Sequence, residues 1–350
     1  MTGSRSASRR LTAVALFLVG VAAFVAIIYF LGPDKVDTIL DADLRFVALA
    51  FGVGLPMTMT TAFRWASITN SITGRKALTY PQYYASLVIG RVVGLFVSRS
   101  GGELGVRVVT LTGLGKTSTE MAAASITLDR LFDLTLLIAL MPASLLILSG
   151  SVPGEAGALL LPISAGAAVL AMFRLDLLMH WAARGLSRVV GKIGGPPALR
   201  NFSQARVRNL EELAEVEHLP PKEVLVLAWL TIQRYLATVA LLYFLAEAFG
   251  LGISFYTMLL AGALMQLALT VGFTPGGLGF FEVGTASALA LGGVGGDDSA
   301  VFIVGQRAFQ YTFFPIVAAI SYVALLRPNR AQEVKAAEAT LQAGNSGNPP

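Results

Sequence analysis

The sequence contains no cysteine, which excludes disulfides, thiolate metal sites and a thiol nucleophile. Histidine is almost as scarce. The two present, His180 and His218, lie outside the long apolar runs, so no imidazole is available at membrane depth. Charge is thin as well: Asp, Glu, Lys and Arg make up 13% of 350 residues, against 55% hydrophobic residues and a mean hydropathy of +0.69. A water-soluble fold of this size cannot cover so much apolar surface, and windows of roughly 20 apolar residues recur at the length that spans a bilayer. The composition specifies an all-α polytopic membrane protein. Its net charge of +5 reads as topology, because the bases gather in particular loops.

Catalytic signatures are missing too. There is no G-x-S-x-G elbow, no H-E-x-x-H pair and no P-loop lysine. A segment at 174–222 is too short for a soluble catalytic domain, and its Glu211, Glu212, Glu215 and Glu217 read as a solvated helix face. The chain is therefore expected not to be an enzyme, and to need no cofactor, metal or nucleic acid.

Six full spans are expected, at 11–31, about 44–68, 121–148, 155–173, 224–249 and 300–326. The first follows SRSASRR (residues 4–10). It is too long for a twin-arginine signal and no A-x-A site follows, so it reads as uncleaved with its basic end inside. The mostly acidic loop 32–43 belongs outside, and Arg64, Arg75 and Lys76 mark the inner end of the second span. Segment 174–222 is rich in arginine and belongs inside. Within it, Leu175, Leu178, Trp181 and Val189 share one helical face and Arg184 and Arg188 another, as in an interfacial amphipathic helix or a solvated basic linker. Residues 1–10 form a basic cytoplasmic N-terminus, 11–326 a single integral membrane domain, and 327–350 a disordered cytoplasmic tail.

Segments 83–116 and 255–291 fit differently. If each enters the membrane and returns to its own side, Arg99, Arg107 and Lys116 stay inside while Asp297 and Asp298 stay outside, as the distribution of bases requires. Two re-entrant helical hairpins thus join the six spans. Their sequences correspond. VSRSGGELG (97–105) is matched by FTPGGLG (273–279), and LDRLFDL (128–134) by GQRAFQY (305–311), so that Arg130-x-Phe132-Asp133 parallels Arg307-x-Phe309-Gln310. Arg64-Trp65 and Arg234-Tyr235 give a weaker echo. With one hairpin open to each side, the chain reads as an inverted repeat, repeat one about 44–149 and repeat two about 223–326.

The breaks then have a physical purpose. Gly101, Gly102, Gly276, Gly277 and Gly279 permit tight turns and close backbone approach, and Pro275 can begin a half-helix. Half-helix N-termini near the midplane are expected to present free amide donors to an anionic headgroup such as phosphate. Arg91, Arg99, Arg107, Arg130 and Arg307 supply the same sign, and ionisable groups at such depth usually face a cavity. Glu103 precedes Arg107 by one helical turn and Arg130 precedes Asp133, so each pair can meet along its helix. Such pairs, with Asp129, either brace the broken helices or contact a ligand. Arg99 is read as a ligand or lipid contact, and Glu282 as the partner of one of these arginines.

Gly102-Glu103 with Arg107, Leu128-Asp129-Arg130-Leu131-Phe132-Asp133-Leu134, and Thr274-Pro275-Gly276-Gly277-Leu278-Gly279 with Glu282 resemble the flippase-like membrane region of bacterial lysylphosphatidylglycerol synthases. The resemblance runs from about the first span to Leu326, and it is to a free-standing member without the synthase domain. Ser98 or Ser100 stands where the family commonly has proline, and Asp129 where it often has Glu. The resemblance implies translocation of a lipid headgroup between leaflets. The lysyl headgroup itself is not carried over, because no synthase domain is seen here.

The interior bases outnumber the acids, so an anion is the natural guest. The expected function is a flippase or scramblase of the bacterial inner membrane moving a phosphate-bearing lipid headgroup, with membrane lipids as its partners. A non-transporting partner or regulator of a separate lipid- or glycolipid-modifying enzyme is the alternative, with 174–222 as its docking surface. A carrier of soluble anions is a third reading.

Overall fold

The computed structural model describes residues 33–152, 154–174, 177, 219–271, 274 and 276–326. The expected first span, the basic N-terminus, most of the amphipathic segment, Pro275 and the tail lie outside the described residues, as does the side chain of Arg99. Among the described residues ten helices follow in order: α1 (Pro33–Leu40), α2 (Leu44–Thr73), α3 (Tyr80–Phe96), α4 (Arg99–Gly113), α5 (Thr119–Leu148), α6 (Gly154–Met172), α7 (Pro221–Ala248), α8 (Phe255–Val271), α9 (Phe280–Leu291) and α10 (Gly296–Leu326). No strand occurs among the described residues.

Local chemistry sets the helix ends. Asp43 caps α2 by accepting the amide of Arg45 at 2.8 Å, and Gly74 closes it in the left-handed region at φ 63. The helix thus runs well past Arg64. Ser118 caps α5 through the amide of Met121 at 3.2 Å. On α3, Gln82 reaches back to the amide of Thr79 at 3.0 Å.

Helices α2, α5 and α7 are long and apolar enough to cross a bilayer, and only 33%, 39% and 50% of their most apolar windows are buried inside the protein. The remainder, with Phe63, Ile138 and Trp229 among its exposed side chains, is stable against lipid rather than water. The chain is a membrane protein. Of the other expected spans, α10 covers the last with 31 residues. The 19-residue α6 covers the fourth, although its apolar stretch, Leu159–Met172, is short.

Helix lengths recur along the chain. A run of 30, 17, 15 and 30 residues (α2 to α5) is followed by one of 28, 17, 12 and 31 (α7 to α10). The contacts recur with them. Helices α2 and α7 pack along each other, α3 pairs with α4 and α8 with α9, while α3 lies on α10 and α8 on α5. Helix α6 covers α5 and α1 touches α10. The main core joins residues of both runs, including Phe132, Tyr235, Phe302 and Phe313. Helices α3 and α4 meet through glycine: a Cβ on Gly102 would lie 2.7 Å from the amide nitrogen of Gly94, so only glycine allows the approach.

Candidate functional site

Arginines and acids from four helices form one alternating chain in the interior. It begins on α7 with Arg234, whose Nη2 lies 2.7 Å from Asp133 Oδ1 on α5. Arg64 of α2 reaches the same oxygen at 2.5 Å and Asp129 Oδ1 at 2.7 Å. Arg107 of α4 takes Asp129 Oδ2 at 3.0 Å and Glu103 Oε1 at 2.8 Å. Glu103 also holds Arg130 Nη2 at 2.7 Å, and the Arg130 side chain stays 33% exposed. Every inner member is flanked by opposite charge on both sides, which offsets the desolvation that makes isolated buried ions so costly. Neutral groups fill in: Arg64 donates to Thr231 Oγ1 at 2.9 Å, and the Arg107 guanidinium sits over the Trp65 ring, 4.7 Å from its centroid.

A second, smaller pair stands in the other run of helices. Arg307 of α10 binds Glu282 of α9 at 2.8 Å, stacks over Phe281 at 3.9 Å and donates to the carbonyl of Gly276 at 2.7 Å. Glu282 is therefore an arginine partner, as expected, and it also accepts the Gly279 amide at 2.7 Å.

The two glycine tips touch. The Gly276 amide is shared between the carbonyls of Gly94 at 3.1 Å and Val97 at 2.9 Å, at the end of α3. Gly276 has φ +60, and a Cβ there would lie 2.9 Å from the Leu95 carbonyl. Only glycine satisfies both requirements. Phe96 and Tyr311 pack edge to face beside this contact, centroids 6.0 Å apart.

Several expectations change. The tip amides are not free donors. Gly101 N is taken by Ser98 Oγ at 3.0 Å, Gly102 N by Ser98 O at 2.7 Å, and Gly277 N by Thr274 O at 2.9 Å. Thr274 Oγ1 in turn donates to Leu278 O at 2.6 Å. Each of these donors finds an acceptor within one turn of its own chain, as at an ordinary capped helix start. Glu103 does pair with Arg107, but Arg130 turns to Glu103 rather than to Asp133, which is held by the arginines of α2 and α7. Arg64, read as a marker of the inner end of its span, is 0% exposed, as is Arg107, read as an interior base. Glu103, one turn beyond Arg99 in sequence, is occupied by Arg107 and Arg130. Gln310 is buried with its Oε1 unpartnered.

Sequence reasoning missed Gln266 and the interior roles of Arg64 and Arg234, which it linked only as echoes of each other. A signal was available for Arg64: Gly74 is the natural C-cap of that helix, so an arginine so far before it lies inside the span. Each interior acid is held by guanidinium groups, and among the described residues no cluster of three His, Asp or Glu side chains could hold a metal ion.

A family model for the lysylphosphatidylglycerol synthase TM region matches residues 13–319, a stretch that contains the whole charged chain and both glycine tips. The chain belongs to that family. Compared with curated proteins, it has no significant match. Membership of the lysylphosphatidylglycerol synthase TM family places the charged interior in a membrane region associated with lipid, and it spans both runs of helices rather than one of them.

Proposed function

We propose that the protein is a lipid translocator of the bacterial inner membrane. It moves a phosphate-bearing headgroup between leaflets through the interior between α3–α4 and α8–α9, and it is not an enzyme. The observation that carries this reading is the buried arginine–acid chain, which ends in a cation at both ends, Arg234 and Arg130. Arg130, one-third exposed, is the member placed to meet a headgroup; the inner members hold the helices at fixed positions around it.

The recurrence of helix lengths and of packing partners supports an inverted repeat, in which α3–α4 and α8–α9 are re-entrant hairpins and both termini are cytoplasmic. In such a build, rocking of one half against the other alternates access to a site near the midplane. The acyl chains stay in lipid while the headgroup crosses.

The test is a leaflet-exchange assay. Purified protein is reconstituted in liposomes carrying fluorescent phospholipids of several headgroups, and the outer leaflet is quenched with dithionite. Acceleration by the unaltered protein, lost in a folded Arg130→Ala variant, is the expected result. No acceleration for any phosphate-bearing lipid, with or without an imposed proton gradient, overturns the proposal.

A further inference from the structure

The alternating chain leaves a remainder. Among the described interior side chains, six arginines (the four of the chain, Arg91 and Arg307) face four acids, an excess of two positive charges. Arg307 and Glu282 cancel. The four arginines of the chain against its three acids leave one charge over, and Arg91 supplies the other.

Arg91 lies on α3 and is 7% exposed. Its guanidinium stands over the Phe314 ring, 5.2 Å from the centroid, its Nε has no hydrogen-bond partner, and it makes no ion pair among the described residues. Its charged neighbours are Glu103, Arg234, Arg107 and Arg130, three of them cations. Arg234 has an unpartnered Nε as well. Gln266 of α8 accepts from Arg234 Nη2 at 2.7 Å and leaves its own Nε2 unpartnered. Arg91 Nε, Arg234 Nε and Gln266 Nε2 thus lack an acceptor, as Arg107 Nε does. A buried donor left so costs about 1–3 kcal/mol, and uncompensated buried charge costs more. Arg91 and Gln266 are each the twelfth residue of their 17-residue helices, so each half contributes one group at the same position.

We infer that Arg91, Arg234 and Gln266 form the seat of a phosphomonoester, a group carrying about two negative charges at neutral pH, rather than of a singly charged phosphodiester. This rests on the translocator reading for its lipid source; free phosphate has the same chemistry. A phosphomonoester near pH 7 bears roughly −1.5 to −2 and three acceptor oxygens, which matches the two surplus charges and offers each of the three residues an acceptor. A phosphodiester leaves one charge over, and a headgroup with an added amine leaves two.

Binding is measured in detergent micelles by thermal shift and tryptophan fluorescence, with three probes: phosphatidic acid, phosphatidylglycerol of the same chains, and inorganic phosphate. The expected order places phosphatidic acid about tenfold or more tighter than phosphatidylglycerol, the scale set by one hydrogen-bonded charge. Arg91→Gln and Gln266→Leu each weaken phosphatidic acid by a similar factor and leave phosphatidylglycerol nearly unchanged. Without ligand, Arg91→Gln melts no lower than the unaltered protein, since it removes a surplus buried charge; an arginine that merely braced the fold would lower the melting point. Equal affinity for the two lipids, or undiminished binding by Arg91→Gln, overturns the inference. Inorganic phosphate binding as tightly as phosphatidic acid overturns its lipid part and assigns the seat to a soluble anion. Because micelles have no second leaflet, this result and that of the exchange assay stand or fall separately.

Discussion

Arg64 and Arg234 converge on a single oxygen, Oδ1 of Asp133, at 2.5 and 2.7 Å. They come from α2 and α7, the two helices that pack along each other at the centre. One carboxylate therefore joins the halves of the protein. Asp133→Asn keeps the shape and removes the charge, leaving two guanidinium groups facing each other. A loss of about 3–5 kcal/mol is expected, the scale for a broken buried pair, read as a lower melting temperature in detergent. The double change Asp133→Asn with Arg234→Gln recovers part of it. An unchanged melting temperature in the single variant refutes the assignment of Asp133 as a joint.

Arg107 spans Glu103 and Asp129 at once and covers Trp65. A lysine carries the charge but lacks the planar fork that reaches two acids. Arg107→Lys should lower stability nearly as far as Arg107→Gln does. If lysine restores most of the loss, charge rather than geometry is what Arg107 contributes.

Glu282 performs two tasks, as cap of Gly279 and as counter-ion of Arg307. Glu282→Gln keeps an acceptor for the cap and removes the charge; Glu282→Ala removes both. The alanine variant is expected to be less stable than the glutamine variant by about 1 kcal/mol, the usual worth of an N-cap. Equal stability of the two in denaturant titration would mean that the cap contributes nothing.

Gly276 and Gly279 both have positive φ, +60 and +83, yet only Gly276 has a backbone oxygen, Leu95 O, where a Cβ would go. Gly279→Ala carries conformational strain alone, about 1–3 kcal/mol at φ 83 and ψ −52, while Gly276→Ala adds to strain of the same order the displacement of Leu95 and should cost more. The comparison is made by thermal melting. A larger effect at Gly279 contradicts the close approach of the tips.

Much of this was legible in the sequence. Apolar runs gave the membrane class and most helices, and the paired G-G and R-x-F motifs led to both glycine tips and to Arg130 and Arg307. The partners were harder. Arg130 and Asp133 are neighbours on one helix, and local spacing suggested a pair, but α4 brings Glu103 to the first while α2 and α7 bring arginines to the second. Contacts between helices outweigh contacts along one. The free amides failed for a reason the sequence did contain: Ser98 stands three residues before Gly101 and Glu282 three after Gly279, the spacing of side chains that cap helix ends. Gln266 was overlooked, and Arg234 was seen only as the echo of Arg64, because a lone polar residue in an apolar run carries no sign of what faces it.

The contact at Gly276 has an energetic scale of its own. One N–H divided between the carbonyls of Gly94 and Val97 is worth about 0.5–1.5 kcal/mol net. A bond of that strength, taken alone, leaves the parted tips populated at roughly 7 to 30 per cent. On the translocator reading proposed above, such a bond lies within reach of thermal motion and sets only a small part of the barrier to parting the two tips.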